Sequence, residues 1–249
     1  MVASPVKPRA IAQTSASDVS QLRATFEALD ASSCPYQYNF HMHTVHSDGQ
    51  LTSDALVEQV IHLGLKAFAI TDHHTVEGYL NAKQCIEDWQ WRHPSTVLVG
   101  KGRTAVGGRS GLPRLWTGVE ITSRLAETDV HILGYGFDIE HSAMTDYIGG
   151  SSPRGSAQLA ENVIHAIQSA GGLAVLAHPA RYRRPAEELV NEAVKRGIDG
   201  IETYYAYDNP SEWRPCPKKT PLLQSLAETH QLLSTCGTDT HGKVLTRRL

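Results

Sequence analysis

Two hydrophobic periods alternate along this chain. Val19, Leu22, Phe26 and Leu29 recur at helical spacing and predict an amphipathic helix over residues 18–31. Ser32 to Pro35 breaks it. Tyr36, Tyr38, Phe40 and Met42 then alternate with Gln37, Asn39, His41 and His43, which is the period of a strand. Leu56, Val57, Val60 and Ile61 return to helical spacing, with Thr52 or Ser53 as the opening cap and Gly64 as the stop. Apolar runs predict strands at residues 66–71, 97–99, 116–122, 130–135, 173–177, 198–204 and 232–236. Helices are expected over 77–91 and 156–170, from Pro185 to Gly197, and from Pro221 onward. Residues 100–113 hold five glycines and several basic residues, and predict a loop. Strands alternate with helices over most of the chain, so the class is α/β with a parallel sheet or barrel. The 116–122 and 130–135 strands have no helix between them, which departs from a regular eightfold barrel.

Composition narrows the field. The chain has 249 residues, 41% of them hydrophobic, which suits one sizeable folded domain. Residues 1–17 read as a flexible leader and 18–249 as that domain, with no secretory signal at the start. No apolar run reaches membrane-spanning length. With 23 Lys and Arg against 26 Asp and Glu, bulk positive charge does not hold the protein to nucleic acid. A local basic cleft for a smaller nucleic-acid substrate remains compatible with that balance, and no stable nucleic-acid partner is expected. Cys34, Cys85, Cys216 and Cys236 are widely spaced and form no C-x-x-C pair, so a reducing cytoplasm is the expectation.

The unusual count is histidine, at 13. His41 and His43 share one strand face, and Asp48 follows them. Asp72, His73 and His74 end the 66–71 strand. Glu120 and His131 lie on the next two strands. His178-Pro179 ends the 173–177 strand, and Asp239 and His241 follow the last. Each of these alone is more often structural: an H-x-H on a surface strand, a His-Pro turn, an Asp-Gly turn at Asp48-Gly49. Together they gather at strand ends, where a barrel converges on one mouth. Clustered acids repel and lose hydration when buried, and divalent cations relieve that cost. Imidazole and carboxylate without thiolate suit zinc, manganese or iron, and the set is too large for one tetrahedral ion.

These segments resemble the PHP family, named for polymerase and histidinol phosphatase. His41-Met42-His43-Thr44 with Ser47-Asp48-Gly49 is similar to its first motif, and Thr71-Asp72-His73-His74-Thr75 to its second. Gly118-Val119-Glu120-Ile121, His131-Ile132-Leu133-Gly134-Tyr135, Ala177-His178-Pro179 and Gly237-Thr238-Asp239-Thr240-His241-Gly242 resemble the later ones. The resemblance implies a distorted (β/α)7 TIM-like barrel with its active site at the C-terminal ends of the strands. It implies two or three divalent ions (Mn, Zn or Fe) held by His41, His43, Asp48, His73, Glu120, His131, His178, Asp239 and His241. By that analogy Glu120 bridges two ions. His41, His43 and Asp239 hold one, Asp48, His73 and His178 a second, and His131 and His241 complete a third.

The family usually has Asp where His74 stands, so His74 is expected to support a ligand or a water. Only 46 residues separate His131 from His178, too few for the capping insertion of some nucleotide-hydrolysing relatives. The 18–31 helix is expected to cover the gap that a closing C-terminal helix covers elsewhere.

The resemblance implies hydrolysis of phosphate esters of nucleotides or short 5′-phosphorylated RNA or DNA, as a phosphatase or exonuclease using a metal-activated hydroxide. His241 or His74 would pass a proton to the leaving group. Arg181 is expected to bind a phosphate with its guanidinium fork, Tyr182 to stack on a base, and Arg184 to add charge. Lys101, Arg103 and Arg109 offer a second phosphate contact, and Glu202 a partner behind the ligands. The alternatives are a histidinol-phosphatase-like enzyme, an amidohydrolase, and a non-catalytic metal module. Asp48, the G-V-E strand and the final D-x-H speak against the amidohydrolase, and the filled ligand positions against the inert module.

Overall fold

The computed structural model describes residues 16–93 and 111–249. The expected strand at 97–99, the basic residues Lys101, Arg103 and Arg109 with most of their loop, and most of the leader lie outside the described residues.

The first helix, α1 (Ala16–Glu27), presents Leu22 and Phe26 to the interior. Strand β1 (Tyr38–Asn39) follows, then α2 (Ser53–Leu63), β2 (Ala67–Ala69), α3 (Glu77–Arg92), β3 (Arg114–Trp116), β4 (Gly118–Leu125) and β5 (Thr128–Tyr135). The second half alternates α4 (Ala160–Ser169), β6 (Leu173–Leu176), α5 (Ala186–Lys195), β7 (Gly200–Tyr204), α6 (Thr220–His230) and β8 (Leu233–Cys236). The expected caps of α2 form: the Thr52 side chain accepts from the Ala55 amide, and Gly64 takes the left-handed conformation at φ 68°.

The α/β class is as the alternation predicts. The strands divide into a parallel sheet in the order β1-β2-β3 and a mixed sheet in the order β4-β5-β6-β7-β8. In the mixed sheet β4, β5 and β6 are successively antiparallel, and β6, β7 and β8 are parallel. Both seams between the sheets are stitched. Met42 bridges Thr240 and His73 bridges Glu120, each in parallel sense.

Two expected strands change shape. The run at 116–122 divides between the sheets at Thr117. A Cβ on Gly118 would lie 2.4 Å from the Ile70 carbonyl oxygen, so this close crossing requires glycine. The 36–42 alternation pairs regularly only at Tyr38–Asn39. Beyond it Phe40, His41, Met42 and His43 are all buried, so both faces are covered and the period of two is lost.

Three apolar clusters hold these layers. Leu22 and Phe26 of α1 pack with Phe40, Leu133, Tyr135 and Val175 beneath the strands' ends. Leu56, Val57 and Val60 of α2 pack with Phe68 and Ile70. Val163, Ile167, Leu189 and Val190 of α4 and α5 cover Ile132 and Leu176. The rim opposite α1 is left to polar residues. No helix among the described residues is long and apolar enough to cross a membrane.

Candidate metal centre

His41 and His43 follow β1, His73 and His74 follow β2, His178 follows β6, and Asp239 and His241 follow β8. Glu120 and His131 do not sit at strand C-termini as the barrel analogy expects. β4 continues past the rim, so Glu120 is near its start, and His131 is reached on the returning β5, where it pairs with Thr122. Glu120, Thr122 and His131 therefore share one face.

Glu120 is the hub. Its Oε2 lies 3.0 Å from His41 Nε2, 3.0 Å from His43 Nε2 and 3.7 Å from His73 Nδ1. Its Oε1 lies 2.7 Å from His131 Nδ1 and 3.3 Å from His178 Nε2. Asp239 Oδ1 is 3.4 Å from His41 Nε2 and 3.3 Å from His43 Nε2. Asp48 faces the open side, with Oδ2 3.2 Å from His241 Nε2 and 3.6 Å from His73 Nε2.

Donor atoms converge in three groups: His41, His43, Glu120 and Asp239; His43, Asp48, His73 and His241; and His73, Glu120 and His131. The first lies deepest, with every member buried. This partition differs from the one the family resemblance implies. His178 lies against Glu120 rather than beside Asp48 and His73, and His241 joins Asp48 rather than His131.

The donor set fits divalent cations. Glu120 Oε1, both ring nitrogens of His43 and His131 Nδ1 are buried without a hydrogen bond. His131 Nδ1 and Glu120 Oε1 lie 2.7 Å apart but are not aligned for a hydrogen bond. Leaving such atoms unpaired costs about 1–3 kcal/mol each, and a cation removes that cost. Protonation carries the balance otherwise. Burial opposes charge on His43, but Asp239 and Glu120 outweigh it and push its pKa up to about 9. Burial likewise opposes charge on His41, and Glu202 and Glu120 overcome it, raising its pKa. Burial opposes ionisation of Glu120 and Asp239, yet the facing histidines hold both well below the ordinary range. Burial pushes His73 down to about 4, which leaves it a neutral donor. Metal binding would displace the protons on His41 and His43.

The surrounding residues fix this geometry. Glu202, buried in β7, sits 2.9 Å from His41 Nδ1 and accepts from the His178 amide at 2.9 Å. It turns His41 Nε2 inward, the expected place for a partner behind a ligand. Asp72 accepts from the Thr44 amide, the Thr44 hydroxyl and the Ser47 hydroxyl, and so braces the loop that carries Asp48. A Cβ on Gly49 would lie 2.4 Å from the His43 carbonyl oxygen, so the Asp48-Gly49 turn folds back tightly on the first motif. His74, His178 and Asp239 have φ of 55°, 28° and 53°, left-handed conformations that cost about 1–3 kcal/mol each outside glycine and collect at functional sites.

The remaining site residues divide. His74 Nε2 meets Thr122 Oγ1 at 3.1 Å, and burial lowers its pKa; it lies outside the three groups. Arg181 Nη1 donates to Asp239 Oδ2 at 2.9 Å and to the Tyr205 hydroxyl at 3.0 Å. The Tyr182 hydroxyl accepts from the His131 amide at 2.8 Å, and its half-buried ring lies 5.5 Å from the His178 ring. Arg184 is held by Thr128 at 3.1 Å and Glu188 at 3.3 Å, turned from the donor groups.

Two residues escaped the sequence reading. Tyr205 donates to Asp239 Oδ2 at 2.6 Å, and Arg248 Nε donates to the same oxygen at 2.9 Å. Arg248 arrives because the segment after His241 folds back: Leu245 is buried, its amide donates to Gln59, and the His241 amide donates to the Arg248 carbonyl at 2.7 Å. The short run from Lys243 to Leu249 gave no sign of that return.

Residues 39–121 match the model of the PHP domain. The chain is 26% identical to the 5′-3′ exoribonuclease Rnm of Salmonella typhimurium strain LT2, over 82% of this chain and 85% of the relative. It is 24% identical to a phosphoribosyl 1,2-cyclic phosphate 1,2-diphosphodiesterase of Eggerthella lenta, over 82% of this chain and 94% of the relative. Its fold is similar to that of a Bifidobacterium adolescentis protein described as a metal-dependent phosphoesterase, with TM-score 0.63, 24% identity and coverage of 86% and 91%. It is also similar to that of a Chromobacterium violaceum amidohydrolase, with TM-score 0.61, 18% identity and coverage of 85% and 90%. The His41-x-His43, Asp72-His73 and Glu120 motifs all fall inside the stretch that is similar to the PHP domain.

Proposed function

We propose that this protein is a metal-dependent phosphoesterase acting on nucleotides or short 5′-phosphorylated RNA or DNA. One observation carries the reading. Five imidazoles lie within 3.7 Å of the Glu120 carboxylate, yet only its Oε2 is hydrogen-bonded, to His41 Nε2, and its Oε1 is buried without a hydrogen bond. The names of the curated relatives, an exoribonuclease and a cyclic-phosphate phosphodiesterase, support phosphoester substrates.

His41, His43, Asp48, His73, Glu120, His131, His178, Asp239 and His241 would hold two or three ions. Divalent ions held there would neutralise phosphoryl charge and lower the pKa of an attacking water. Manganese, zinc and iron all suit the donors. Arg181, half-exposed beside Asp239, would orient a phosphate. Burial keeps His74 neutral, which suits it to hold a water or accept a proton. His241, on the open side beside Asp48, is the better candidate to pass a proton to the leaving oxygen.

The scaffold reading is a distorted barrel, supported by the stitches at Met42–Thr240 and His73–Glu120. Counting β3 and β4 as one strand bent at Thr117 leaves seven strands among the described residues, which supports the seven-stranded reading. The packing of α1 beneath it supports a single domain over 18–249 closed by that helix. Four free cysteines support a cytoplasmic setting.

The test is release of phosphate or nucleotide by Mn²⁺-loaded protein. The substrates are a 3′,5′-bisphosphonucleotide, a 5′-phosphorylated RNA, histidinol phosphate and an aryl phosphate. Hydrolysis by the parent and its loss in Asp48→Ala are expected. A folded, metal-loaded protein silent on all four would contradict the reading.

A further inference from the structure

Charge on the rim is one-sided. β6, β7 and β8 are parallel neighbours, so the segments after them leave the same edge. The segment after β6 carries Arg181, Arg183 and Arg184 and no acid. The segment after β7 carries Arg214, Lys218 and Lys219 against Asp208 and Glu212. The segment after β8 carries Lys243, Arg247 and Arg248, and its acid, Asp239, is buried in the centre. The segments after β1 and β2 carry Asp48 and Asp72 and no Lys or Arg up to the start of the next helix. This contrast arises in a chain whose formal charge is −3, so it does not reflect a generally basic protein.

The basic side joins the donor cluster directly. Arg181 and Arg248 both donate to Asp239 Oδ2, and Tyr205, whose carbonyl accepts the Cys216 amide at 3.0 Å, donates to it as well. All three segments thus meet at one metal-facing carboxylate. Farther out, Arg183, Lys218 and Lys219 are exposed and make no ion pair with any described residue, so their charge is free for a partner.

We propose that the segments after β6 and β7 form a track for the body of a single-stranded nucleic acid whose terminal phosphate lies at the metal centre. The proposal rests on the phosphoesterase reading and deepens it: the preferred substrate is an oligonucleotide, and nucleotides beyond the first contribute through their phosphates. A chain of evenly spaced phosphates matches cations displayed along a rim, and each contact releases counterions. A mononucleotide would touch only the Asp239 end.

The experiment compares the parent with a triple variant, Arg183→Glu, Lys218→Glu and Lys219→Glu, none of which touches the donor cluster. Two substrates are used, a 5′-phosphorylated ten-nucleotide RNA and a 3′,5′-bisphosphonucleotide, across a salt series. Binding of a labelled ten-nucleotide RNA to the metal-free proteins is measured by anisotropy. The variant should lose about tenfold or more of kcat/KM and affinity on the RNA at low salt. Its kcat/KM on the bisphosphonucleotide should stay within about twofold. The slope of log affinity against log salt should become shallower by about 2, from roughly 0.7 per lost phosphate contact. Unchanged RNA binding and turnover would overturn the track, as would an equal loss on both substrates. Tighter binding to phosphatidylserine vesicles than to RNA, lost in the variant, would assign the face to a membrane instead. Failure of the parent to hydrolyse either substrate would sink the phosphoesterase reading, while the anisotropy result would still decide the track.

Discussion

The apolar floor beneath the strands and the polar rim above them share β1, β5 and β8 but use burial in opposite ways. In the floor, Phe26 of α1 meets Phe40 at 4.9 Å and Tyr135 at 5.4 Å between ring centroids, both edge-on. The Tyr135 hydroxyl there donates to the Phe40 carbonyl at 2.8 Å and the Tyr204 hydroxyl to the Leu29 carbonyl at 3.4 Å. At the rim, one residue further along from Phe40, His41 is equally buried but faces Glu120, Glu202 and Asp239. The floor is held mainly by apolar contact, although Trp116 Nε1 and Trp213 Nε1 are buried in it without a hydrogen bond. The rim concentrates unpaired lone pairs and opposing charges that only protons or cations balance. The fold spends apolar packing below to hold an electrostatically incomplete cluster above.

The difference can be broken most severely at the hub. Glu120→Gln keeps the shape but removes the charge that the imidazoles surround; it should abolish hydrolysis and lower bound metal, measured by elemental analysis with activity on the same sample. In the floor, Phe26→Ala should cost about 3–5 kcal/mol of stability, read from urea unfolding. Activity of the still-folded fraction should change little, because α1 does not touch the donors. Glu202→Gln should weaken metal binding by about 10–100-fold, as a competition titration with a chelator would show, while leaving the fold intact. An unchanged affinity would remove Glu202 from the account.

A finer contrast is available from pH. Unfolded histidine titrates near 6.5, whereas burial, Asp239 and Glu120 together set His43 at about 9 in the metal-free fold. A raised pKa contributes stability that is full below the unfolded value and lost as pH rises through the folded one. The metal-free protein should therefore lose thermal stability between about pH 6.5 and 9. With metal in place of the proton, that loss should disappear. Parallel melting curves with and without chelator would show it.

The sequence made the rim more legible than its wiring. Short motifs carried the donors, because each is local: His41 and His43 share a strand face, and Asp48-Gly49 closes a turn. Helix caps were also readable, since Thr52 and Gly64 act within one turn of their own residues. Long-range returns were not. Nothing near Arg248 shows that its segment folds back along α2 to reach Asp239. The hydroxyl partner of Tyr182, the His131 amide, lies on β5 and no local pattern announces it. The 116–122 run looked continuous because the crossing at Gly118 is set by the Ile70 carbonyl from a distant strand. The grouping of His178 and His241 depends in the same way on how strands β1, β4, β6 and β8 meet, which no local pattern encodes.

The central claim is that the Glu120-centred cluster binds divalent ions and that those ions enable phosphoester hydrolysis. The most direct measurement is hydrolysis of a 5′-phosphorylated RNA as metal-free protein is titrated with Mn²⁺, with bound metal counted at each point. The account predicts no turnover without metal, and turnover that rises with occupancy and levels off as the cluster fills. Turnover by the metal-free protein, or full occupancy with no turnover on any phosphoester offered, would contradict it.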